Sequence, residues 1–157
     1  MDNWIEEIST SLQLFEEVAG LARFPFPEEP LRTKFLSLPH DDKEIDKLAD
    51  GETAVYGFND GRKWLKIGQA GRKSWQRYRY QHYKAGSAKS NLADSLIKHH
   101  ESNPILGFNP DDHKSWILSS TNRVNIVLPP GYGRMRHLLE AFLIVRLNPL
   151  FEGTQKE

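Results

Sequence analysis

The sequence predicts an α+β fold, a small three-stranded antiparallel sheet flanked by helices and preceded by an N-terminal helical extension. Three observations lead there. Two β-forming runs between residues 53 and 68 are joined by Asn59-Asp60-Gly61, a turn signal that makes them a hairpin. Residues 3–21 and 134–147 carry apolar side chains near helical spacing. Between the first helix and the hairpin lies Phe24-Pro25-Phe26-Pro27-Glu28-Glu29-Pro30, which has to leave helical geometry because proline lacks an N–H and restricts its predecessor.

In chain order, the first helix is amphipathic, with Trp4, Ile5, Ile8, Leu12, Phe15 and Val18 on one side and acids among the remaining positions. After the proline joint and a short segment at 31–38, residues 41–49 suggest a brief acidic helix. Thr53-Ala54-Val55-Tyr56-Gly57-Phe58 and Lys63-Trp64-Leu65-Lys66-Ile67-Gly68 are the two hairpin strands. Helices follow at 75–84 and 91–101, the second with Leu92, Leu96 and Ile97 as its apolar stripe. A further helix opened by Asp111-Asp112 would carry Trp116, Ile117 and Leu118. Residues 123–128 form a third strand stopped by Pro129-Pro130, and the last helix is ended by Asn148-Pro149.

A chain of 157 residues, 38% hydrophobic, can bury one sizeable core or one domain with a helical extension. The expected division is an acidic helical extension at 1–50 and a catalytic-sized domain at 51–157. Without cysteine, a metal would need oxygen or imidazole ligands. The start, Met1-Asp2-Asn3-Trp4, is unlike a signal peptide, and no stretch approaches the roughly 18 apolar residues of a membrane span. A soluble cytoplasmic protein with no membrane partner is expected.

The formal net charge of zero hides a division: residues 1–50 hold 5 Lys/Arg against 12 Asp/Glu, and 51–157 hold 16 against 9. Residues 61–93 contain nine basic residues and no acid. Such a surface attracts phosphate through counterion release, which makes Arg62, Lys63, Arg72, Lys73, Lys84 and Lys89 candidate nucleic-acid contacts.

Ala54-Val55-Tyr56 and Lys66-Ile67-Gly68 stand on the two hairpin strands where GIY-YIG nucleases carry Gly-Ile-Tyr and Tyr-Ile-Gly. The basic helix with its arginines, a histidine a turn later, and a glutamate in the last helix arrive in the family's order. Over residues 51–153 the chain therefore resembles that family.

The resemblance implies a metal-dependent endonuclease hydrolysing phosphodiester bonds, with double-stranded DNA as partner and with room for a homodimer if both strands are to be cut. Tyr56 would be the base or its relay, and Arg77 or Arg79 the phosphate clamp. His82 would be a second proton or phosphate contact, and Glu140 the carboxylate for Mg²⁺ or Mn²⁺. Arg77 lies nine residues after Gly68, near the family's separation, whereas Arg79 puts His82 and Tyr83 on its own helical face. Lys66 replaces a tyrosine and could bind phosphate or, with a depressed pKa, help take a proton. The family's closing asparagine has either Asn148 or Glu152 in its place.

Other readings compete. The domain could bind nucleic acid without cutting it, or act as an interaction module whose acidic N-terminal helix docks on the basic domain or on another protein. The neighbours His99 and His100 point apart on a helix and make a poor metal site. Glu140 stands out, because it interrupts an otherwise apolar helix.

Overall fold

The computed structural model describes residues 3–152, all but the side chain of Arg72 among them. Its centre is a four-stranded sheet of β1 (Arg32–Leu36), β2 (Thr53–Asn59), β3 (Trp64–Ala70) and β4 (Asn122–Leu128). The strands lie in the order β1-β4-β2-β3, and every neighbouring pair is antiparallel.

The sheet thus has one strand more than expected, and the extra one comes from the stretch assigned to a helical extension. Arg32-Thr33-Lys34-Phe35-Leu36 is an edge strand, buried fully only at Leu36, so its alternation is weak. What makes it a strand is pairing with residues 123–127, far away in sequence. The expected boundary at 50/51 falls between two strands of one sheet.

Among the described residues five α-helices flank the sheet: α1 (Asn3–Leu21), α2 (Trp75–Arg79), α3 (Leu92–His99), α4 (His113–Ser120) and α5 (Gly133–Leu147). Two expected helices are shorter than their sequence suggests. The acidic stretch makes a single 3-10 turn, Asp42–Glu44, held by a reciprocal cap in which Asp41 accepts from the Lys43 N–H and Glu44 from that of Asp41. The basic helix stops at Arg79, turns at Tyr80, and resumes as a 3-10 turn, Gln81–Tyr83.

Strand alternation gives the sheet two different faces. Tyr56 on β2 lies between Gly68 and Asn125, and Phe58 between Lys66 and Arg123, so these residues share one face. That face is covered by α3, α4 and the segment around Tyr78 and Tyr83. Val55, Val124, Ile126 and Leu128 point the other way, against α1 and α5. Beyond Phe58 the β2–β3 register shifts by one residue, leaving Leu65 as the extra one. Leu65 accordingly joins the Tyr56 side of the core.

The N-terminal helix is an integral layer. Ile8 and Phe15 are fully buried, each such side chain contributing about 2 kcal/mol. Trp4 packs edge-on against Phe35 and Trp64, with ring centroids 5.5 and 6.4 Å apart. Among the described residues no helix is long and apolar enough to cross a membrane.

Candidate active site

The site begins with a glycine. A Cβ on Gly68 would lie 2.8 Å from the Tyr56 hydroxyl and 2.9 Å from its ring, so the phenol lies directly across the bare backbone of β3. No other residue leaves that space. Tyr56 reaches over its cross-strand partner and meets His82 from the 3-10 turn after α2, Oη to Nε2 at 2.7 Å. The other ring nitrogen of His82, Nδ1, accepts from the backbone N–H of Leu92 at 3.1 Å. Leu92 is the first residue of α3, where an N–H has no partner within the helix and needs one from outside.

Beneath this pair lies Arg123, with no exposed surface at all. Its guanidinium carbon sits 4.9 to 5.2 Å from the ring centres of Phe58, Tyr78 and Tyr56, and 5.9 Å from that of Tyr83. Nε donates to Asn125 Oδ1 at 2.8 Å and Nη1 to the Tyr83 hydroxyl at 3.1 Å, while Nη2 donates to the Tyr78 carbonyl. None of the ion pairs among the described residues includes Arg123. Ring faces and neutral oxygens stabilise this buried charge instead of a carboxylate, each desolvated cation–π contact contributing up to about 2 kcal/mol.

Lys66, 5% exposed, is a second buried cation. Its Nζ donates to the Phe151 carbonyl at 3.1 Å and to Ser90 Oγ at 3.3 Å. Phe151 is there because residues 150–151 run along the free edge of β3, with the Leu150 and Phe151 N–H groups bonded to the Trp64 and Leu65 carbonyls at 2.9 Å. That run delivers Glu152, whose carboxylate accepts the Ile67 N–H at 2.8 Å. Asn148, by contrast, ends α5 in the left-handed conformation, its N–H bonded to the Ile144 carbonyl. Of the two candidates for the closing position, Glu152 is bonded to β3 next to Lys66, at the Ile67 N–H, and its charge acts on Lys66.

Glu140 projects from α5 to the same edge strand, where its carboxylate accepts a hydrogen bond from the Gln69 amide. Gln69 Oε1 is buried without a partner among the described residues, and Glu140 itself is half-buried. Arg77 anchors to the Lys89 carbonyl. Its charge acts on Tyr56, Lys66 and His82, whereas Arg79 stacks on its neighbour Tyr80 at 5.1 Å. Two residues apart on one short helix, these arginines face different surroundings.

The electrostatics follow from burial and from an excess of cations. Burial raises the Tyr56 pKa, although Arg123 and Arg77 pull it back, so the phenol is neutral at pH 7. Burial, then Arg123, Lys66 and Arg77, holds His82 well below 6.5 and neutral. Burial also lowers Lys66, with Arg77 adding and Glu152 opposing. The carboxyls of Glu140 and Glu152 are both raised by burial, Glu152 adding to the effect on Glu140 and Lys66 opposing it on both.

The predicted surface contacts divide by position. Lys73 and Lys89 line, with Arg77, Gln76 and Gln81, an open cavity of about 270 Å³. Arg62 and Lys63 sit at the hairpin turn, with Arg62 4.0 Å from Asp60, and Lys84 is exposed after the Gln81–Tyr83 turn. The Arg72 side chain lies outside the described residues. His99 stacks on Phe151 while His100 bonds the Ile97 carbonyl, so the two do not converge.

Among the described residues no group of three or more His, Asp or Glu side chains could hold a metal. Mg²⁺ takes one or two carboxylates and completes its shell with water and phosphate, so Glu140 is the carboxylate that would hold such an ion here. Sequence reasoning missed Arg123 and Gln69. An arginine at the start of a predicted strand was the only local sign of the first. Comparisons with protein-family models, curated proteins and solved structures find no match.

Proposed function

We propose that this protein is an endonuclease that hydrolyses phosphodiester bonds in DNA, aided by a divalent ion at Glu140. The observation that carries this reading is the placement of Tyr56, Lys66, His82 and Glu152 around β3, next to a cavity lined by Lys73, Arg77 and Lys89, with Glu140 reaching the same strand from the α5 side and its charge acting on Tyr56 and Lys66. The cavity matches a phosphate backbone in charge. Arg77 would hold the scissile phosphate and offset the charge that develops on it. A bound Mg²⁺, held by Glu140, would supply Lewis-acid stabilisation of the phosphoryl and leaving oxygens.

Water oxygen attacks phosphorus, the P–O bond to the departing sugar oxygen breaks, and the water proton has to reach a base. Lys66 suits that task better than Tyr56, because burial drives lysine toward its neutral amine and drives the phenol to keep its proton. Tyr56 would then orient the phosphate as a hydrogen-bond donor.

A second reading has its own support. Tyr56 is 1% exposed and Lys66 already has two protein acceptors, an arrangement that also suits a site that binds nucleic acid without cutting it. Plasmid cleavage by wild type, Arg77→Ala and Arg79→Ala in Mg²⁺ separates the two. Wild type and Arg79→Ala are expected to cut and Arg77→Ala to lose roughly 100-fold. Salt-sensitive binding with no cutting in any divalent metal would move the conclusion to the second reading.

A further inference from the structure

Two buried histidines on the Tyr56 side of the sheet have fixed and opposite proton placements. His40 Nδ1 faces the Thr121 carbonyl at 2.8 Å. A carbonyl only accepts, so that nitrogen carries the proton, and Nε2 accepts from the Tyr83 hydroxyl at 2.8 Å. The Tyr83 oxygen at the same time accepts a hydrogen bond from Arg123 Nη1, which leaves its own hydrogen for His40.

His82 is wired the other way. Its Nδ1 faces the Leu92 N–H, which only donates, so that nitrogen must offer its lone pair. The groups around the ring are Tyr56 and Phe58 on β2, Lys66 on β3, Arg123 on β4, Arg77 on α2 and the Leu92 N–H on α3. Its charged neighbours are all cations, and none would stabilise an imidazolium.

We propose that His82 is a positioning residue that donates its Nε2 proton to the Tyr56 oxygen and so cannot be the base that removes the phenol proton. The Tyr56 hydroxyl hydrogen is then left outside the 2.7 Å bond, with no acceptor among the described residues. With nucleic acid bound, a non-bridging phosphate oxygen would be its acceptor, which requires uncovering a ring that is 1% exposed. This last assignment of the acceptor rests on the nuclease reading above, whereas the direction of the His82–Tyr56 bond does not.

The test is nitrogen-15 NMR of the histidine rings in the intact protein at pH 7.5, with two-bond correlations from the ring carbon-bound protons. His82 is expected to show a protonated Nε2 and an unprotonated Nδ1, and His40 the reverse, each serving as the other's reference. Tyr56→Phe should shift the His82 Nε2–H proton upfield and leave the His40 Nδ1–H proton in place. A His82 protonated at Nδ1, or at both nitrogens, would overturn the proposal, as would a Nε2–H resonance indifferent to loss of the phenol oxygen. None of these outcomes depends on DNA cleavage, so a protein that never cuts can still confirm the bond direction.

Discussion

Arg123 shows how one residue sets the protonation of several. A guanidinium cannot shed its proton at ordinary pH, so burying it without a carboxylate makes its surroundings hostile to any second positive charge. It contributes to the lowered pKa of both His82 and His40, after burial itself. The sign of the consequence follows from linkage. Both histidines are neutral when folded and titrate near 6.5 when unfolded, so the unfolded chain takes up protons first as pH falls. Their contribution to stability is full above about pH 6.5 and is lost as pH falls from there toward the depressed native values, by at most about 1.4 kcal/mol per pH unit for each. The raised Glu140 and Glu152 act oppositely, but only between their native values and the unfolded 4.5. Urea unfolding midpoints should therefore be lower at pH 5.5 than at 7.5, and the gap should narrow in His40→Gln. Equal midpoints for the wild type would contradict it.

At the scale of elements, β3 positions most of the site. Gly68 gives the phenol its space, Lys66 and the Ile67 N–H hold the C-terminal segment, and Gln69 holds Glu140. Gly68→Ala should therefore push the Tyr56 ring off His82 and slow cleavage by about 100-fold, a displacement of roughly an ångström being enough. The readouts are the cleavage rate and the His82 Nε2–H resonance; an unchanged pair would show that the ring does not need this gap. The hairpin itself was legible because its turn, Asn59-Asp60-Gly61, announces itself locally. The arrangement on β3 was not: Lys66 to Phe151 and Ile67 to Glu152 are bonds across 85 residues, which no local pattern encodes. The broken basic helix was hidden for a related reason. Residues 75–84 have a helical composition, but Tyr78, His82 and Tyr83 are all buried, and they are so with a turn at Tyr80 between them.

At the scale of the molecule, only the first part of the acidic stretch is set apart in space, since Ile45 and Leu48 pack on the Tyr56 side and Asp42 pairs with Lys114. α1 lies on the α5 side of the sheet, secured by Ile8 and Phe15, by the Trp64 indole N–H to Glu7 at 2.8 Å, and by Arg146 Nε to Ser11 at 2.8 Å. Tyr56, His82 and Arg123 occupy the other side, so the acidic helix is attached through its apolar stripe, away from the basic cavity. That stripe was readable from helical spacing, whereas membership of β1 in the sheet depended on its distant partner. What remains to be tested most directly is whether the edge of β3 is a catalytic centre. Binding and cleavage of the same labelled DNA duplex should be compared for wild type and Glu140→Gln, with Mg²⁺ and with EDTA. Equal affinity for the two proteins, Mg²⁺-dependent cleavage by wild type, and a loss of about 100-fold or more in Glu140→Gln are expected. Cleavage by Glu140→Gln at the wild-type rate, or cleavage that survives EDTA, would contradict a catalytic centre at this edge.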